Sequence, residues 1–164
     1  MILSDQDIMR ALDSGRIDVQ PSPDAVQIQP ASLDVRLGED LYNPAEDAVV
    51  TRQDQHMLAP DTRYLGHTKE TVSLPDDVAA QLTGRSTIGR LGIIVHKTAG
   101  WIDPGFEDGQ ITLELYNHAD RAVPLDVGQR VAQLVFFELS SPSSGYDGKY
   151  QAQEGITEAV IADD

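Results

Sequence analysis

The chain has 164 residues, 27 of them acidic against 12 basic, a formal net charge of −15 and no cysteine. That balance repels nucleic acid and anionic lipid over most of a surface, and the lack of thiols excludes disulfides, thiolate metal sites and cysteine nucleophiles. The length suits a single domain with a real hydrophobic core.

Residues 1–17, MILSDQDIMRALDSGRI, read as one amphipathic helix. Ser4 is the N-cap, Asp7 sits favourably in the first turn, Ile8, Met9 and Leu12 form the apolar face, and Gly15 is the stop. ASLDVRLG (31–38) alternates Leu33, Val35 and Leu37 against Ser32, Asp34 and Arg36, the pattern of a half-buried strand. PDDVAAQLTG (75–84) is expected to be a second short helix, opened by Pro75 and closed by Gly84. From there the chain reads as strands, GIIVH, QITLELYN, RAVPLDV and RVAQLVFFEL, parted by Gly, Pro, Asn and Asp turns. Many short strands argue for a mainly β sandwich or closed barrel. The last twenty or so residues lack a core pattern and are expected to form a mobile tail. No internal repeat or second domain is visible. No apolar run approaches the ~20 residues of a membrane span and no basic-plus-apolar leader opens the chain, so a soluble, cytoplasmic protein is expected. Lysine occurs only at positions 69, 97 and 149, and the acid is mostly Asp, a surface suited to high salt and a halophilic source.

From Val78 through Ile102 there is no acidic residue, while Arg85, Arg90 and Lys97 fall inside that window. GRSTIGRL (84–91) nearly matches a phosphate loop, but Arg90 replaces the lysine and Leu91 the metal-binding hydroxyl, and no long helix follows. What survives is a glycine-bearing stretch with two arginines, which is either an anion-binding segment or a polar turn. Asp103, in HKTAGWIDPGF (96–106), is either a turn-stabilising Asx residue or an acceptor for a sugar hydroxyl. In ITLELYN (111–117), Ile111, Leu113 and Leu115 point one way and Thr112, Glu114 and Tyr116 the other. Glu114 therefore faces solvent or a cleft, and partial burial in a cleft is expected to raise its pKa toward the range useful for proton transfer, with Ser86 and Arg90 sharing the pocket. The four histidines show no zinc-site spacing. Tyr146, Lys149, Tyr150 and Gln153 cluster in the tail, either as a closing flap or as a loose polar terminus.

Five co-linear stretches, IQPASLDVRLG (28–38), GRSTIGRLG (84–92), HKTAGWIDPGF, TLELYN and KYQAQEG (149–155), resemble the dCTP deaminases of the wider dUTPase superfamily. The resemblance implies a distorted β-barrel or jelly-roll domain over residues 1–145 and a C-terminal tail over 146–164 that closes on the active site. It also implies a homotrimer with active sites between subunits. Glu114 resembles the general base that activates water for attack on cytosine C4, with Ser86 and Arg90 orienting that water and stabilising the altered base. Arg85, Ser86, Thr87, Ile88, Gly89 and Arg90 resemble the triphosphate-binding segment. Asp103 matches the residue holding the deoxyribose 3′-hydroxyl, Thr112, Leu113 and Glu114 line the base, and Gln133, Tyr146, Lys149 and Gln153 complete the nucleotide contacts. The implied chemistry uses no zinc, in keeping with the missing cysteines, and Mg²⁺ accompanies the triphosphate. Gly100 and Trp101 after the Thr-Ala pair, together with Gln133, resemble the branch that also cleaves the triphosphate to dUMP. A monofunctional dCTP deaminase, a plain dUTPase and a non-catalytic acidic jelly-roll binding module are the competing expectations.

Overall fold

The computed structural model describes residues 1–161. In chain order it contains α1 (Asp5–Asp13), β1 (Asp18–Gln20), a 3-10 turn (Ala25–Gln27), β2 (Ile28–Gln29), β3 (Ser32–Asn43), β4 (Ala48–Thr51), β5 (Gln55–Leu58) and β6 (Thr62–Ser73). These are followed by β7 (Val78–Gly84), α2 (Ser86–Arg90), β8 (Ile93–Ile94), β9 (Trp101–Ile102), β10 (Gly109–Asn117), β11 (Val123–Asp126) and β12 (Arg130–Glu138). Ten strands form one antiparallel sheet along the path β8-β10-β6-β3-β12-β7-β9, with β1, β2 and β4 paired at its margins, and β5 and β11 make a separate two-stranded ribbon. The mainly β expectation with two short helices is met.

The long strand β3 joins the two halves of the sheet. Its first residues pair with β12 (Leu33↔Leu134, Val35↔Ala132) and its later ones with β6 and β4. The β3–β6 register shifts between Leu37 and Leu41, and Gly38 sits in that irregularity. A Cβ at Gly38 would lie 2.1 Å from Cε1 of the buried His67 ring, so the irregularity depends on a residue without a side chain. Leu33, Val35, Leu37, Leu82, Leu113, Leu115, Leu134 and Phe136 are fully buried and fill the core.

α1 starts as its sequence predicts. Ser4 Oγ accepts from the Asp7 backbone N–H at 3.3 Å, and the Asp7 carboxylate accepts from the Ser4 N–H at 3.4 Å. Its buried face is Ile8 and Ala11, and Met9 points outward, because the helix turns one position away from the expected stripe. The expected helix at 75–84 is instead β7, which pairs with β12 on one side and β9 on the other. The second helix lies just beyond it, at Ser86–Arg90 within GRSTIGRL, pinned by the fully buried Ile88. The strand expected at GIIVH shrinks to Ile93–Ile94.

A buried carboxylate on β6 is satisfied by neighbours far along the chain. Glu70 is fully buried and accepts from the Arg36 backbone N–H (2.8 Å), Arg36 Nε (2.6 Å) and Gln27 Nε2 (3.0 Å). Among the described residues no helix is long and apolar enough to cross a membrane.

Candidate active site

The alternation of β10 places Ile111, Leu113 and Leu115 in the core and turns Thr112, Glu114 and Tyr116 to the other face, where they are half-buried. Glu114 Oε2 accepts from the backbone N–H groups of Lys97 (2.8 Å) and Thr98 (3.1 Å), tying the loop after β8 to the strand. Burial pushes the Glu114 carboxyl upward. The N–H groups of Lys97, Thr98 and Ala99, with the nearby His96, outweigh it and hold the carboxyl below its ordinary value. The expected rise is therefore corrected to a fall, because a carboxylate fed by several backbone donors is stabilised in its charged form. Glu114 Oε1 has no hydrogen-bond partner among the described residues.

Glu114 and Thr112 stand in the wall of a cavity of about 480 Å³, together with Asp103, Trp101, Tyr146 and Gln153. Thr112 Oγ1, on a residue of the cavity wall, is buried with no hydrogen-bond partner among the described residues. Asp103 Oδ1 accepts from Trp101 Nε1 at 3.1 Å, which leaves Oδ2 open. Trp101 is half-exposed and packs at 5.6 Å from Phe137. Gly100 is buried, and a Cβ there would lie 2.7 Å from the Leu82 carbonyl and 2.9 Å from the His96 ring, so close packing alone demands glycine. Arg63 and Glu158 also reach the cavity and were missed by sequence reasoning, since nothing local marks them out.

The second group of expected residues lies apart from this cavity within one chain. Ser86, Thr87, Gly89 and Arg90 are exposed on α2 and do not line it, and neither do Arg85 and Gln133. Ile88 and Leu113 bury their side chains in the core, leaving only their backbones for a ligand. Arg85 Nε forms an ion pair with Asp34 Oδ2 at 3.0 Å, and Arg130 Nη1 donates to the same oxygen at 3.0 Å. Asp34 and Arg130 were not singled out in the sequence. Burial raises the Asp34 carboxyl against the pull of the two guanidinium groups.

The tail is folded onto the β10 side of the cavity. Tyr146 packs 6.2 Å from Phe106, and Gln153 Nε2 donates to the Gln110 carbonyl at 2.6 Å. Lys149 is outside the cavity lining. Its Nζ donates to the Val160 carbonyl at 2.7 Å, while the Tyr150 hydroxyl accepts from the Val160 N–H at 3.2 Å. The expected tail runs to residue 164, and residues 162–164 lie outside the described residues.

Comparison with known proteins gives these features a family. Residues 2–139 match the dCTP deaminase-like family model. The chain is 45% identical to the "dCTP deaminase, dUMP-forming" of Kocuria rhizophila over 96% of this chain and 93% of that protein. It is 41% identical to the "dCTP deaminase" of Haloarcula marismortui and 41% identical to the "dCTP deaminase, dUMP-forming" of Halobacterium salinarum, each over 100% of this chain and 96% of the relative. Among solved structures, the 2′-deoxycytidine 5′-triphosphate deaminase of Agrobacterium tumefaciens superposes with a TM-score of 0.70 at 24% identity. That match covers 82% of this chain and 47% of that one, so the chain spans about half of its length. The dUTPase of Staphylococcus aureus phage phi11 superposes with a TM-score of 0.58 at 16% identity, over 80% of this chain and 99% of that one, a likeness of fold alone. The five co-linear stretches, the β10 face and the near full-length relatives agree: the chain belongs to the dCTP deaminase-like family.

Proposed function

We propose that this protein hydrolyses the 4-amino group of dCTP and then cleaves the resulting dUTP, releasing dUMP and pyrophosphate. The observation that carries the proposal is Glu114, an ionised carboxylate in a cavity wall with Oε1 unpartnered and the orphan Thr112 hydroxyl two residues away. In the first reaction water adds to C4 as Glu114 takes its proton. That proton passes to ring N3; the proton of the new C4 hydroxyl then passes through Glu114 to the exocyclic amine, the C4–N bond breaks, and ammonia leaves as the carbonyl forms. In the second, water adds to the α-phosphorus and the bond to the β-phosphate oxygen breaks. Asp103, with Oδ2 open, is assigned to the 3′-hydroxyl, and Tyr146 and Gln153 to closure over the nucleotide.

Ser86 and Arg90 are assigned to the reacting base and Arg85–Arg90 to the triphosphate. Their place outside the Glu114 cavity of one chain supports an oligomer, assigned as a homotrimer, in which a neighbouring copy supplies them. Mg²⁺ is assigned to the substrate, whose phosphate oxygens are its hard ligands. Gly100 and Trp101, with several relatives named dUMP-forming, favour the bifunctional reading. The Haloarcula relative, named only as a deaminase, keeps the monofunctional one as its competitor. The test is to offer dCTP and Mg²⁺ and separate the products by chromatography. Ammonia with dUMP and pyrophosphate is expected, dUTP as the end product points to the monofunctional enzyme, and no ammonia sinks the proposal. Activity that survives chelator treatment followed by Mg²⁺ alone is expected, and a requirement for zinc overturns the metal assignment.

A further inference from the structure

Two guanidinium groups meet on one buried carboxylate oxygen. Asp34 is fully buried; its Oδ2 accepts a hydrogen bond from Arg130 Nη1 and forms an ion pair with Arg85 Nε, both at 3.0 Å. Arg85 Nη1 also donates to the Arg130 backbone carbonyl at 3.1 Å, and Arg130 Nη1 to the Val26 carbonyl at 2.5 Å. Two of the three Arg85 nitrogens therefore contact the protein, Nη1 by a hydrogen bond and Nε by an ion pair. Nη2 makes no hydrogen bond among the described residues, on a side chain that is 26% exposed. Gln133 lies directly across from Asp34 on the neighbouring strand, on the same face. Asp34 Oδ1 has no hydrogen-bond partner among the described residues.

We propose that Asp34 is a positioning residue for nucleotide recognition: it clamps Arg85 so that the free guanidinium edge is presented to the triphosphate, while Arg130 offsets the charge the clamp would otherwise cancel. The proposal rests on the reading of Arg85–Arg90 as the triphosphate segment. A carboxylate taken out of water is costly, and a well-packed apolar residue would fill this place without that cost. A staple built only for stability would also use both oxygens, whereas here one is idle. Holding the guanidinium fork in advance reduces the freedom lost when a phosphate binds.

The second arginine follows from electrostatics. An aspartate 3.0 Å from Arg85 makes a near-neutral pair, of little use for attracting an anion to a chain of net charge −15. With Arg130 on the same oxygen, the three groups together carry a single positive charge. Arg130 therefore supports phosphate binding without touching the substrate.

The test turns on a sign. Asp34→Asn keeps the shape and removes a negative charge, so a purely electrostatic role lowers KM for dCTP, whereas a positioning role raises it. The expected result is a rise in KM of about tenfold, the loss of one charge-assisted contact, with kcat within about twofold. Arg130→Gln is expected to raise KM several-fold, and Arg130→Lys to recover most of that. An unchanged or lowered KM in Asp34→Asn overturns the inference, as does a fall in Tm with KM unmoved. Should Asp34→Asn fail to fold, the Arg130 pair decides: Gln and Lys variants both at the wild-type KM overturn it. Wild-type protein that leaves dCTP intact removes the functional proposal first and this inference with it, a failure visible before any substitution is made.

Discussion

Glu114→Gln separates proton transfer from everything else this side chain does. Oε2 holds the loop through two N–H donors at 2.8 and 3.1 Å, and the glutamine carbonyl oxygen occupies the same place and accepts the same bonds. Those bonds pass from charged to neutral. The cost is about 1 kcal/mol each at most, less after solvent screening at a half-buried site, and it reads as a drop of a few degrees in Tm. What disappears is the proton acceptor at Oε1. General-base contributions run at about 10²–10⁴-fold, so kcat for ammonia release is expected to fall by that factor, roughly 3–5 kcal/mol of barrier. Binding is followed independently through Trp101, the single tryptophan of the chain and part of the cavity wall. Quenching by dCTP is expected at a concentration within about threefold of wild type. A Gln variant that releases ammonia within tenfold of the wild-type rate would refute the assignment of Glu114 as the base.

Gly38→Ala forces a Cβ to 2.1 Å from the buried His67 ring, an overpacking expected to cost about 1–3 kcal/mol in urea unfolding, and His67→Ala in the same chain should recover part of it. His56 is buried, and desolvation lowers its pKa below the unfolded value near 6.5. Its neutral form therefore supports the fold above about pH 6.5, and that support drains away as pH falls through 6.5 toward the lower folded value. His56→Gln should flatten the change in denaturation midpoint between pH 7.5 and 5.5, and an unaltered pH dependence would contradict this. Gly105→Ala places a Cβ 2.8 Å from the Gly145 Cα and the Tyr146 nitrogen at a positive φ, so the tail must shift. A higher KM for dCTP at unchanged oligomeric size on gel filtration is expected, and a wild-type KM would argue against tail closure.

β10 was legible because one of its faces is core and the other is cavity wall, which writes a clean alternation into ITLELYN. β7 was misread because it lies between two strands with Val78, Ala79, Ala80 and Leu82 all buried. That run has no period of two, and its alanines, glutamine and leucine mimic a helix former. α2 escaped notice because five residues carrying a glycine have little helical propensity of their own, and only Ile88 in the core fixes the turn. β6 was unread because His67, Thr68 and Glu70 break its apolar pattern, and their partners, Arg36 and Gln27 for Glu70, come from elsewhere in the sequence. The residues of the cavity were singled out in the sequence far better than their mutual placement. The Asp34 cluster was invisible because its arginines come from distant parts of the chain, and no local spacing reports a bond made through the fold.

The grip of Lys149 and Tyr150 on Val160 has a thermodynamic corollary. A terminus fastened back on itself behaves as a small hinged plate and not as a leash of independent links. Part of its disorder is surrendered in advance through these two bonds, so the tail closure proposed above costs less than ordering a loose strand.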